Sequence, residues 1–156
     1  MKILFVCLGN ICRSPLAEGI MKHKIEAAGL SQKITVDSCG TANYHIGDKP
    51  DVRTRKNAMQ NGVTLNHLGR QLSATNLAEF DFILAMDRSN YQNIMRLASA
   101  SQHAAKVLLI REFDSERGDE VPDPYYGGEQ GFQEVYEILD RSVDGFIDYL
   151  KSQNLI

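Results

Sequence analysis

The chain has 156 residues, 43% of them hydrophobic and 24% charged, enough apolar material for one soluble domain with a sizeable core. A net charge of −3 speaks against a general nucleic-acid binder, which needs a basic face, and no apolar run reaches the roughly 20 residues of a membrane span. Three cysteines, an odd number, fit a reducing compartment better than a disulfide scaffold. Met1-Lys2 lead straight into an apolar run with no signal-peptide pattern, so a cytoplasmic chain is expected.

The first element is a buried strand, Ile3 to Val6, ending on Cys7. A short loop with one glycine follows, then Arg13-Ser14-Pro15 and helical spacing through Leu16, Ile20, Met21, Ile25 and Ala28, closed by Gly29 as a C-terminal cap. Ile34 and Val36 mark a short second strand, with Ser38-Cys39-Gly40-Thr41 read as a strand-to-helix loop. Residues 43–50 are a polar loop with an aromatic. Asp51 to Asn61 is a short helix stopped by Gly62, and Ser73 to Leu77 starts a helical turn. Phe80 to Met86 is a third strand, apolar almost throughout and so expected to be covered on both faces. Asp87 ends it, and Ser89 to Ala98 is helical, with Tyr91, Ile94, Met95 and Leu97 facing the core. Lys106 to Ile110 is the fourth strand; residues 111–130 form a long acidic loop; Gly131 to Ser152 is a long amphipathic helix. Strands alternating with helices predict an α/β fold: a single domain over 1–156, a three-layer sandwich with a four-stranded parallel sheet flanked by helices on both faces.

In such sheets ligands bind where a strand's carboxyl end meets the following helix. A helix start offers unpaired N–H groups and the positive end of the peptide dipoles. Five residues, Leu8, Gly9, Asn10, Ile11 and Cys12, separate Cys7 from Arg13. A loop of that length can curl so that its N–H groups converge on one tetrahedral anion. Arg13 closes the ring with a planar fork. A cysteine at the bottom of the cradle, its thiolate favoured by those donors and by Arg13, is a nucleophile aimed at phosphorus.

Phosphoryl transfer to sulfur also needs an acid for the leaving oxygen, carried on a second loop. Asp123, in Val121-Pro122-Asp123-Pro124-Tyr125-Tyr126-Gly127-Gly128, is the candidate: prolines stiffen the loop and two aromatics can wall a flat substrate. Asp87 is the rival carboxylate, expected instead to orient Arg13 or to cap the following helix. Arg53, Arg55 and Lys56 read as a solvated helix face, and Cys39 as a small buried filler.

Cys7-Leu8-Gly9-Asn10-Ile11-Cys12-Arg13-Ser14 together with Asp123-Pro124-Tyr125-Tyr126 resembles the low-molecular-weight protein tyrosine phosphatase family, over the whole chain. The resemblance implies a covalent cysteinyl-phosphate intermediate and no metal or other cofactor. It implies Cys7 as nucleophile, Arg13 as phosphate clamp and Asp123 as general acid, with residues 8–13 binding phosphate. It further implies Asn10, Ser14 and Ser38 holding the loop by hydrogen bonds, and His67 bracing it near Asn10 and Ser38. Tyr44, Tyr125 and Tyr126 would form the pocket rim, and Cys12 a reversible disulfide with Cys7. Expected partners are a phosphotyrosine-containing protein or small aryl phosphate, with phosphate or vanadate as inhibitors, no nucleic acid and no membrane; the chain is expected to be a monomer or weak dimer.

Phosphoarginine hydrolysis is the first alternative, although relatives with that preference carry Thr where Ile11 stands. Arsenate reduction needs relay cysteines, and none follows Cys39. A non-catalytic flavin or phosphate module would need neither Cys7 nor Asp123. A thioredoxin-type role is disfavoured by the four residues between Cys7 and Cys12, and a nucleotide P-loop by the missing Gly-Lys-Ser/Thr ending. His23, His45 and His103 lack partners at metal-ligand spacing.

Overall fold

The computed structural model describes residues 1–98 and 101–156. Four parallel strands, β1 (Lys2–Cys7), β2 (Thr35–Gly40), β3 (Phe82–Ala85) and β4 (Val107–Leu109), form one sheet in the order β2-β1-β3-β4. Around them lie α1 (Arg13–Ala27), α2 (Val52–Gln60), α3 (Ala74–Glu79), α4 (Arg88–Leu97), the one-turn α5 (Ser101–Ala104) and α6 (Glu129–Ser152). The expected α/β sandwich is the one observed.

The sheet sorts its side chains by the period-two rule. Along β1, Ile3, Phe5 and Cys7 face a core shared with Leu16, Ile20 and Met21 of α1 and Val135, Leu139, Val143 and Phe146 of α6. Leu4 and Val6 face the other way, onto Leu77 of α3 and Ile94 of α4. Because β1 is central and covered on both faces, Cys7 is delivered to the sheet's carboxyl edge with no freedom to slip register. Every residue of α1 from Arg13 to Met21 is buried, so the helix that begins at the phosphate loop is fixed by packing all round. Gly145 lets α6 approach closely: a Cβ there would lie 1.9 Å from the Phe113 carbonyl oxygen.

Several boundaries differ from the sequence reading. Ser38, Cys39 and Gly40 belong to β2, paired with Phe5, Val6 and Cys7; small and polar residues look like a loop, but here they flank the site strand. Gly40 is required, since a Cβ would sit 2.7 Å from the Leu8 carbonyl oxygen. Phe80 and Met86 are buried but lie outside β3. Leu97 is 40% exposed rather than a core contact. The segment 111–130 is less irregular than expected: Ile110–Phe113 forms a 3-10 turn, Arg111 Nη1 donates to the Glu120 carbonyl at 2.7 Å, and the buried Val121 N–H donates to the Met86 carbonyl at 2.7 Å. No helix among the described residues is long and apolar enough to cross a membrane.

Candidate active site

The loop after β1 is held from outside through its carbonyls. Thr41 N–H donates to the Cys7 oxygen at 2.9 Å, Ala42 N–H to the Leu8 oxygen at 3.0 Å, and Asp51 N–H to the Ile11 oxygen at 2.8 Å. In a trans peptide the N–H points opposite to the C=O, so the N–H groups of Leu8, Gly9 and Cys12 turn away from these partners. Asn10 N–H donates to the Cys7 sulfur at 3.3 Å. The Ser14 hydroxyl lies 3.0 Å from the same sulfur, so two donors are available to a thiolate there.

Asn10 holds the curl. Its φ of +59° is a left-handed conformation that a non-glycine residue keeps only when its surroundings impose it. Its amide nitrogen donates to Ser14 Oγ at 2.8 Å and to Ser38 Oγ at 3.0 Å. Its amide oxygen accepts from the Arg70 backbone N–H at 3.0 Å and pairs with His67 Nε2 at 2.6 Å. All four hydrogen-bonding positions of the side chain are used. The other His67 nitrogen, Nδ1, lies 3.3 Å from Glu18 Oε1 and 3.8 Å from Asp37 Oδ1. Glu18, a buried carboxylate of α1, is part of this brace and has no signal in the local sequence.

Arg13 is 3% exposed. Its Nη1 donates to Asp87 Oδ2 at 2.6 Å and to the Val121 carbonyl at 3.0 Å. Burial disfavours its charge, but the Cys7 sulfur and the Asp87 carboxylate outweigh burial and push the guanidinium pKa up. Asp87 Oδ1 also accepts the Asn90 N–H at 2.7 Å as the cap of α4, so one carboxylate contacts both Arg13 and the start of that helix. The second guanidinium nitrogen, Nη2, faces the hollow and lies 3.6 Å from Asp123 Oδ2. Asp123 is reached from across the site, with its side chain 42% exposed.

These groups line one cavity of about 280 Å³ with Cys7 and Arg13 at its base, Leu8, Gly9, Ile11 and Cys12 around it, and Tyr44, Tyr125, Tyr126 and Asp123 at its mouth. Tyr125 and Tyr126 meet edge-to-face at 5.0 Å, a favoured aromatic arrangement. His45, which the sequence reading set aside, also lines the mouth and pairs with Asp48 at 3.1 Å. Cys12 is a buried thiol whose pKa burial pushes up to about 12, against the lowering effect of the neighbouring Thr54 hydroxyl. Cys39 is fully buried on the opposite face of the sheet with Leu4 and Val6, the expected filler.

Glu18, Asp37 and His67 place three ligand-type atoms within 4.8 Å of one another. Asp37 already accepts the Ser38 N–H at 2.8 Å and pairs with Arg70 at 2.9 Å, and His67 Nε2 faces Asn10, so two of the three side chains are engaged behind the loop, while Glu18 Oε1 is buried without a hydrogen bond.

Known proteins share this fold. The family model described as low molecular weight phosphotyrosine protein phosphatase matches residues 2–155. A low molecular weight phosphotyrosine protein phosphatase of Schizosaccharomyces pombe is 46% identical over 154 residues, covering 97% of this chain and 96% of the relative. The crystal structure of a protein tyrosine phosphatase from Entamoeba histolytica, with Hepes in its active site, superposes with a TM-score of 0.95 at 40% identity, covering 99% of both chains. A Drosophila arginine phosphatase superposes with a TM-score of 0.91 at 35% identity over 97% of this chain and 98% of that one. The match over nearly the whole length makes this chain a member of the low molecular weight phosphotyrosine protein phosphatase family.

Proposed function

We propose that this enzyme hydrolyses phosphotyrosine monoesters through a phosphate carried on Cys7. As the Cys7 thiolate attacks phosphorus in line, a sulfur–phosphorus bond forms and the bond to the phenolic oxygen breaks. Arg13 and the loop N–H groups bind the equatorial oxygens as charge spreads over them. Asp123 gives its proton to the departing phenolate, then as a carboxylate takes one from the water that releases phosphate from Cys7. Asn10 within the loop and Ser14, Ser38, His67 and Asp87 around it hold its shape and the Arg13 fork. Tyr44, Tyr125 and Tyr126 flank the aryl ring.

The observation that carries this reading is the convergence of the Cys7 sulfur and the Arg13 fork, from the two ends of the loop after β1, and the Asp123 carboxylate, from a segment more than 100 residues further along, on one cavity. The substrates are phosphoproteins or aryl phosphates, with inorganic phosphate and vanadate as competitive inhibitors. The site belongs to a monomer or weak dimer in the cytoplasm, and oxidation joins Cys7 to Cys12 reversibly.

Phosphoarginine is the second reading, favoured by the likeness to the Drosophila arginine phosphatase. Ile11 sets the two apart: its aliphatic side chain, on the cavity wall, suits an aromatic ring and offers a guanidinium no hydrogen-bond acceptor. The test is hydrolysis of matched phosphotyrosine, phosphoserine and phosphoarginine peptides, with and without orthovanadate. Phosphotyrosine turnover that is blocked by vanadate and lost, by about 10⁴-fold or more, in Cys7→Ser is expected. Preferential phosphoarginine turnover would establish the second reading, and retained activity in Cys7→Ser would refute both.

A further inference from the structure

Arg53, expected on a solvated helix face, is held on three sides. Asp51 takes its guanidinium in a two-pronged pair, Nε to Oδ1 at 3.0 Å and Nη2 to Oδ2 at 2.9 Å. The guanidinium carbon lies 4.8 Å from the ring centre of Phe132 and 5.4 Å from that of Tyr125, within the range of cation–π attraction. Each neighbour leads to the site. Asp51 donates its N–H to the Ile11 carbonyl of the phosphate loop. Phe132 packs on Ile11 and Cys12. Tyr125 lines the cavity, and its backbone N–H donates to Asp123 Oδ1 at 3.0 Å. A continuous set of contacts runs from the phosphate loop through Asp51 and Arg53 to Tyr125, and from Tyr125 to the carboxylate at the mouth.

That carboxylate has a competing attachment. Its other oxygen lies 3.6 Å from Arg13, and movement toward Arg13 would carry it down into the phosphate site. A proton donor has to stand over the leaving oxygen instead. We propose that Arg53 is a positioning residue for proton transfer: by holding the Tyr125 ring against the loop floor, it fixes the Tyr125 N–H and thereby the height of Asp123 above the phosphate. Arg53 touches no reacting atom. The inference rests on Asp123 being the general acid. In the step concerned, the sulfur–phosphorus bond forms, the electron pair of the breaking phosphorus–oxygen bond goes to the phenolic oxygen, and that oxygen takes the Asp123 proton.

The test compares kcat/KM on phosphotyrosine, whose leaving phenolate needs the proton, with kcat/KM on 4-nitrophenyl phosphate, whose leaving group needs it much less. Arg53→Met keeps the unbranched stem of the side chain and removes the charged guanidinium. It should lose about tenfold on phosphotyrosine and about twofold on 4-nitrophenyl phosphate. Arg53→Lys, which restores a cation over the rings without the fork to Asp51, should recover part of the loss. On an Asp123→Ala background, Arg53→Met should add little on phosphotyrosine, because both act through one proton. Equal losses on the two substrates, no loss on either, or full additivity with Asp123→Ala would overturn the proposal. Asp123→Ala with no dependence on the leaving group would instead refute the acid assignment, and this inference with it, while vanadate-sensitive turnover by the unmodified enzyme would leave Cys7 in place.

Discussion

The floor and the mouth of the cavity are built differently. On the floor, Asn10 and Arg13 are buried and multiply bonded. Five of the groups that hold the loop, Ser38, Asp51, His67, Arg70 and Asp87, come from four different stretches of chain outside it. At the mouth, Asp123 is 42% exposed at its side chain, Tyr126 is 95% exposed, and two glycines follow. The two jobs differ in the same way. Electrostatic stabilisation of a phosphoryl group works best from donors already in place, whereas the acid must also admit substrate, meet water and let phosphate leave.

This contrast makes graded predictions. The floor should tolerate least. Arg13→Lys keeps a positive charge but loses the planar fork and the shared bonds to Asp87 and Val121; kcat should fall by about 10²–10³-fold, measured on 4-nitrophenyl phosphate so that the acid is not at issue. A fall of less than tenfold would mean that charge alone suffices and that the fork is not part of the floor. Asn10→Ala removes the four bonds that impose the left-handed turn and should cost about tenfold in kcat/KM and about 1–3 kcal/mol of stability, read by turnover and chemical denaturation. Stability lost without activity would show that the brace serves folding only.

The smallest effect on turnover should come from the root of the mouth, where Asp114 anchors the segment leading to Asp123. Its carboxylate is bound by the Arg141 fork at 2.8 and 3.1 Å. Burial would raise its pKa, but Arg141, the Glu116 N–H and Arg111 outweigh burial and hold it below the ordinary carboxylate value. The unfolded chain therefore takes up the proton first as pH falls. The stabilisation is present in full above the ordinary carboxylate value of about 4 and is lost as pH drops through the lower folded value. Asp114→Ala should cost about 2 kcal/mol near neutral pH, less than a wholly buried pair because Arg141 reaches water. The difference from the unmodified protein should shrink in acid, and a difference independent of pH would contradict the assignment. Chemistry on bound substrate should change little.

Much of the floor was legible in the sequence because it is local. A run of four apolar residues, a cysteine, five loop residues and an arginine fix strand, nest and clamp within one stretch. What lay outside that stretch was harder. Ser38-Cys39-Gly40 looked like a loop because small polar residues carry no strand periodicity, yet their pairing with β1 puts Ser38 under Asn10. Glu18 sits in a helix whose first turns are buried all round, so no polar stripe marks it as unusual. His45 and Arg53 were judged by spacing within their own segments. Their significance comes from Gly9 of the phosphate loop, beneath the His45 ring, and from Phe132 and Tyr125, far along the chain.

The claim on which the rest depends is that phosphate passes through the Cys7 sulfur. Rapid acid quench of the Asp123→Ala variant during turnover of 4-nitrophenyl phosphate, followed by peptide mass mapping, tests it directly. The account predicts a phosphate bound to Cys7 within the peptide that carries Arg13, accumulating because the base that activates water is gone. Steady turnover with no phosphorylated peptide, or phosphate found on any other residue, would contradict it.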